Sequence, residues 1–112
     1  MAFYLSDLVP AQFVPNANTT MYTSPASTTT RIDALTVTNI DSVSHTITIH
    51  LVASGGSASS GNTTTFTQQV LAGQTWVSPN EIGKVLAPGD FISAIASAAS
   101  QLVMSAGGVI WS

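Results

Sequence analysis

The chain has 112 residues, with 2 Lys+Arg against 5 Asp+Glu, a formal net charge of −3 and a sequence pI of about 4.7. The length fits one domain, and charged residues make up only 6% of it, against about 25% in an average soluble domain. With Arg31 and Lys84 as its only Arg and Lys and no cysteine at all, the composition excludes a phosphate-neutralising surface, disulfides and thiolate zinc sites. No nucleic-acid or anionic-membrane partner is therefore expected.

Polarity comes from hydroxyls instead, with 15 Thr and 15 Ser spread along the chain. Met1–Pro15 holds Phe3, Tyr4, Leu5, Leu8, Val9, Phe13 and Val14 with Pro10 and Pro15 interrupting, a pattern that suits neither a helix nor a central strand. The sequence predicts an extended N-terminal arm ending in a polar hinge at Asn16–Thr20, so that residues 1–20 form arm and hinge and 21–112 the folded domain. Such an arm gains stable order by pairing with a sheet edge, either over its own core or on another subunit. Removing Met1–Pro15 is then expected to leave a folded β domain that no longer binds its partner.

Beyond the hinge the pattern is that of strands. Arg31–Ile40 is rich in β-branched residues, and in Thr46–Val52 the apolar Ile47, Ile49 and Leu51 alternate with Thr46, Thr48 and His50. Asn39–Ser44 supplies turn residues between them, which predicts a hairpin. Ala53–Asn62 reads as a mobile Gly/Ser loop, or one ordered by a neighbour. Thr64–Val70 and Gln74–Val77 read as strands about an Ala72-Gly73 turn. Ala87-Pro88-Gly89-Asp90 fits a type II turn. Phe91–Ser97 and Leu102–Trp111 complete the pattern as a last hairpin. The whole predicts an all-β protein: an antiparallel β-sandwich or jelly-roll-like barrel of seven to eight short strands.

Chemistry-bearing residues are sparse. His45 and His50 are five apart and project to opposite faces of a regular strand, so they do not converge on a metal, and His50 reads as a solvated or interface residue. No serine lies in a Gly-x-Ser-x-Gly frame, and Asp7, Asp33, Asp41, Glu81 and Asp90 are scattered. No catalytic group, metal site or cofactor is expected. Gly107-Gly108 inside the last strand points to a bulge, a close backbone approach or a subunit contact. Trp76 and Trp111 read first as core residues and next as an interface or sugar-stacking platform, with Tyr22 as a further candidate platform for a carbohydrate.

The run TTMYTSPASTTTRIDALTVTNIDSVSHTITIHLVASGGSA, Thr19–Ala58, followed by LAPGDFISAIAS, Leu86–Ser97, resembles small β-sandwich virion structural proteins of tailed bacteriophages. The resemblance begins at about Thr19 and leaves the arm outside it. It implies a virion protein assembled in the host cytoplasm, first of all a capsid decoration or cement protein that clamps the major capsid lattice as a homo-oligomer, with a trimer as the implied state. Its contacts would fall on Phe3, Tyr4, Leu5, Leu8 and Phe13 of the arm and on the loop with Gly55, Gly56 and Gly61. A tail, neck or head-fibre adaptor and a carbohydrate-binding module are the alternatives.

Overall fold

The computed structural model describes residues 3–112. Nine strands follow one another: β1 (Phe3–Phe13), β2 (Thr19–Thr23), β3 (Thr29–Asn39), β4 (His45–Val52), β5 (Thr63–Val70), β6 (Thr75–Val77), β7 (Val85–Leu86), β8 (Phe91–Ala96) and β9 (Leu102–Trp111). The only helical element among the described residues is a single 3-10 turn, Ser60–Asn62. The strands form two antiparallel sheets, ordered β1-β9-β3-β6 with β7 also on β3, and β2-β8-β4-β5. With β6 and β7 sharing one flank of β3, this is the strand order of an eight-stranded jelly roll.

The alternation read in the sequence decides which side chains fill the space between the sheets. Ile47 and Ile49 of β4, Ile92, Ala94 and Ala96 of β8, and Leu102, Met104 and Ala106 of β9 are all buried, each two residues apart along its strand. Ile32, Leu35 and Val37 of β3 join them, with the phase shifting across a bulge between Ile32 and Ala34. Asp33 lies in that bulge, where Arg31 donates to its carboxylate from Nε at 2.7 Å.

The hairpins expected over β3/β4, β5/β6 and β8/β9 do not form. Each of these pairs is split between the two sheets, and only β4–β5 and β6–β7 connect within one sheet. The β3–β4 connection shows the cause. Asn39 is fully buried; its Nδ2 donates to the Val43 carbonyl at 2.8 Å and the Val70 carbonyl at 3.0 Å, while Oδ1 accepts the Asp41 amide at 2.9 Å. One side chain thus satisfies backbone groups of the crossing loop and of β5, groups that a ladder would otherwise have to pair.

The segment expected as a separate arm lies, from Phe3 onward, inside the sandwich. β1 pairs along the full length of β9, from Phe3 opposite Trp111 to Phe13 opposite Val103, with irregular register on both sides of Val9. Leu8, Val9 and Val14 are buried in the common core, and the Val14 amide donates to the Leu102 carbonyl at 2.8 Å. Pro10 is accommodated because β1 is an edge strand with irregular pairing, where a missing N–H costs no central ladder bond. Met1 and Ala2 of the expected arm fall outside the described residues.

The Ala87–Asp90 turn forms as the sequence predicts: Asp90 N donates to Ala87 O at 3.0 Å and Gly89 has φ +87°. A β-carbon on Gly89 would also stand 2.5 Å from Ser54 Oγ, so both its backbone angle and its neighbour require glycine.

Candidate functional site

Two surfaces carry features that the core does not explain, one on each sheet. On the outer face of the β1-β9-β3 sheet, strand register sets Phe3, Trp111 and Thr29 in one row and Leu5, Val109, Arg31 and Val85 in the next. Leu5 is 89% exposed and Phe3 65%, and Val85 is exposed at the far end of its row, while Tyr4 alternates to the other side of β1, in the row of Ile110, Thr30 and Leu86, and is 60% exposed only because it stands at the sheet edge. The Phe3 and Trp111 ring centroids lie 5.6 Å apart, tilted by 40°, a separation typical of an attractive aromatic pair. A recess of about 120 Å³ opens among Tyr4, Thr28, Ile110, Trp111 and Ser112. The Arg31–Asp33 pair stands within this apolar area. Its guanidinium hydrogen bond holds the Asp33 carboxyl below the usual carboxylate range.

Along Phe3–Ser6 the register with β9 is regular, and no described strand pairs with β1 on its other side. An edge that is regular, apolar and unpaired is a template for strand addition. Beyond Ser6 the bulges and Pro10 interrupt it.

The second surface is the outer face of the β2-β8-β4-β5 sheet. Register places Thr20, Ser93, His50 and Thr63 in one row across all four strands. His50, expected as a solvated or interface residue, is not solvated: it is only 6% exposed, because the 53–62 loop folds back over this face. Asn62 organises the loop: its Nδ2 donates to Ser57 O at 2.9 Å and its Oδ1 accepts Ser59 N at 2.9 Å. Thr63 Oγ1 donates to Ser59 O at 3.0 Å. Both Asn62 Oδ1 and Thr63 Oγ1 lie 3.1 Å from His50 Nδ1. Both act there as acceptors, which assigns the imidazole proton to Nδ1. Asp90 Oδ1 accepts the Ser54 amide at 3.0 Å and pins the loop's start. Between loop and strands lies a groove of about 360 Å³, lined by Asn18, Thr20, Gly56, Ser57, Ala58, Phe91 and Ser93.

The residues singled out from the sequence are thus divided. Phe3 and Leu5 are exposed on the outer face of β1 and Tyr4 on its other side at the edge, and Phe13 is exposed at the opposite end of the same strand. Leu8 is 4% exposed and serves the core, so it has no surface to offer a partner. Gly55 and Gly56 lie in the loop over the other sheet and Gly61 in its 3-10 turn, so arm and loop do not form one continuous site. Trp76 and Tyr22 pack against the core, and the Tyr22 hydroxyl lies 2.9 Å from Thr30 Oγ1. His45 binds Asp41 through Nε2 at 2.7 Å and does not meet His50. No cluster of three or more His, Cys, Asp or Glu among the described residues could hold a metal.

Glu81 is the buried polar group that sequence reasoning missed. It is fully buried between the sheets, accepting from Ser78 Oγ at one oxygen and from Thr65 Oγ1 at 2.8 Å at the other. Asn80 Nδ2 donates in turn to Thr65 Oγ1 at 3.0 Å. Ser78-Pro79-Asn80-Glu81 is a turn-like sequence that gives no sign of a buried acid. Thr65 lies sixteen residues away on the opposite sheet.

No family model, no curated protein and no solved structure matches this chain.

Proposed function

We propose that the chain is a structural protein of a tailed-bacteriophage virion, a capsid decoration or cement protein that stabilises the major capsid lattice. The observation that carries this reading is a regular, unpaired strand edge that exposes Phe3 and Leu5 on one side and Tyr4 on the other. A lone apolar residue on a surface is ordinary, whereas an apolar edge continuous with a ring pair and a recess fits a docking surface. The likeness of Thr19–Ser97 to phage virion sandwiches supports the same setting. The charge-poor, hydroxyl-rich composition suits copies packed close together, since neighbours repel little.

In this reading the partner adds a strand to Phe3–Ser6 and seats an apolar side chain in the recess beside Trp111. Backbone hydrogen bonds supply affinity and the recess supplies selectivity. Each contact is modest, and a lattice of copies engaging neighbouring capsid subunits raises the work of separating them. No catalytic residue and no cofactor is assigned.

The test is the number of copies per purified particle, by quantitative mass spectrometry against the major capsid protein, combined with particle binding by Leu5→Ser. Hundreds of copies and loss of binding by the variant are expected. About a dozen copies would move the protein to the neck, tail or a head fibre. Unchanged binding by Leu5→Ser would remove the β1 edge as the contact.

A further inference from the structure

The groove on the β2-β8 side is built differently from the apolar edge, and nothing in the assembly reading uses it. Its lining has no charged side chain: Asn18, Thr20, Ser57 and Ser93 provide an amide and three hydroxyls, Gly56 and Ala58 provide backbone, and Phe91 provides an apolar wall. Ser93 is only 3% exposed, yet its hydroxyl bonds to none of the described residues. No buried side-chain polar atom among those residues lacks a partner, so Ser93 Oγ reaches open space, which it finds in the groove. The side chains of Asn18 and Thr20 are likewise free of partners among the described residues and exposed.

The wall opposite the strands is held in place. Ser57 O accepts from Asn62 Nδ2, and Asn62 is in turn bound by His50 from below, so the loop segment facing Thr20 and Ser93 is fixed by an imidazole and an amide. Unengaged hydrogen-bonding groups and one aromatic wall, facing a loop that is held in place, are the chemistry of a polar ligand site. An anion would find no cation, since Arg31 and Lys84 belong to the other sheet and its flanking loop. A cation would find no free carboxylate: the nearest acid in sequence, Asp90, already accepts two backbone amides, from Ser54 and Ala87. What remains is a neutral ligand rich in hydroxyls with an apolar flank.

We infer that this groove binds a pyranose residue of a neutral saccharide, with Asn18, Thr20 and Ser93 bonding its hydroxyls and Phe91 covering its C–H surface. The volume of about 360 Å³ is at the small end of ligand sites and suits one or two sugar rings. The inference is independent of the virion reading. The two surfaces lie on different sheets, so a chain docked through Leu5 still presents the groove.

The experiment is saturation-transfer difference NMR on the full-length chain with maltose, cellobiose, lactose and mannobiose, each at about 10 mM, followed by titration of any binder. At least one sugar is expected to bind in the millimolar range. Asn18→Ala and Thr20→Val, both at exposed positions that leave the core intact, are each expected to weaken it about 5-fold. Saturation transfer to none of the four sugars would overturn the inference. So would affinity unchanged in both variants, or an uncharged peptide displacing the bound sugar while binding more tightly.

Discussion

Gly108 approaches Arg31 so closely that a β-carbon on it would stand 2.0 Å from the Arg31 carbonyl oxygen and 3.0 Å from Leu8 Cδ1. Its neighbour Gly107 differs: a β-carbon there would meet Ser6 O at 3.7 Å, an ordinary contact. The two adjacent glycines therefore separate in a simple test. Gly108→Ala forces β3 away from β9 and is expected to cost about 3 kcal/mol or more, since backbone cannot yield as a flexible side chain does. Gly107→Ala is expected to stay within about 1 kcal/mol of wild type. Urea unfolding of both variants measures the difference, and equal costs would mean that β3 and β9 do not run this close.

Removal of residues 1–15 is expected to unfold the protein. Leu8, Val9 and Val14 together bury about 5–9 kcal/mol of apolar contact, comparable with the whole stability of a small domain, about 5–15 kcal/mol. Circular dichroism of the truncated chain should show no cooperative melt. A truncated chain that melts near the wild-type temperature would restore the separable arm.

Glu81→Gln tests the buried carboxylate between the sheets. Both oxygens accept hydroxyl hydrogen bonds, and the glutamine amide would set an N–H₂ donor against Ser78 Oγ or Thr65 Oγ1. The expected loss is about 1–3 kcal/mol, read as a lower urea midpoint at unchanged slope. An unchanged midpoint would show that the hydroxyls simply rotate and serve the amide equally well.

The Asp41 carboxyl is held below its ordinary pKa, first by the His45 hydrogen bond and next by the Ser42 amide. A carboxyl lowered in the folded state contributes stability above its unfolded pKa of about 3.9, and that contribution disappears as pH falls through the folded value. The melting temperature of Asp41→Asn is therefore expected below wild type at pH 6, with the gap closing as pH drops through 4 toward 2. A gap that holds or widens on acidification would contradict this sign.

The core strands β4, β8 and β9 are legible because alternation is local, whereas β1, broken by Pro10, is not. Ile47 and Ile49, or Leu102, Met104 and Ala106, announce a core face without reference to any partner. Partner choice was not legible, because a connection of four or five residues suits a hairpin and a sheet-to-sheet crossing alike. The deciding group at one crossing is the Asn39 side chain, whose value lies in the Val70 carbonyl 31 positions away. That His50 is shielded from solvent is not legible for a related reason. It does sit on the outward face, but the Gly/Ser loop covers that face, and periodicity cannot report a cover supplied by an irregular segment. The groove was invisible in the same way, being assembled from the approach to β2, the loop and β8.

The position of β9 between β1 and β3 has a temporal meaning. During synthesis β9 leaves the ribosome after the other eight described strands, and until it does, β1 lacks the one described strand it pairs with. Leu5, Leu8 and Val9 must wait, unpaired, for almost the entire chain to follow them. High sequence separation of this kind slows folding, and it leaves an interval in which the β9 of one nascent copy can close over the β1 of another. Chains made side by side at high local concentration are thus able to exchange first strands, an outcome that dilution during refolding would suppress.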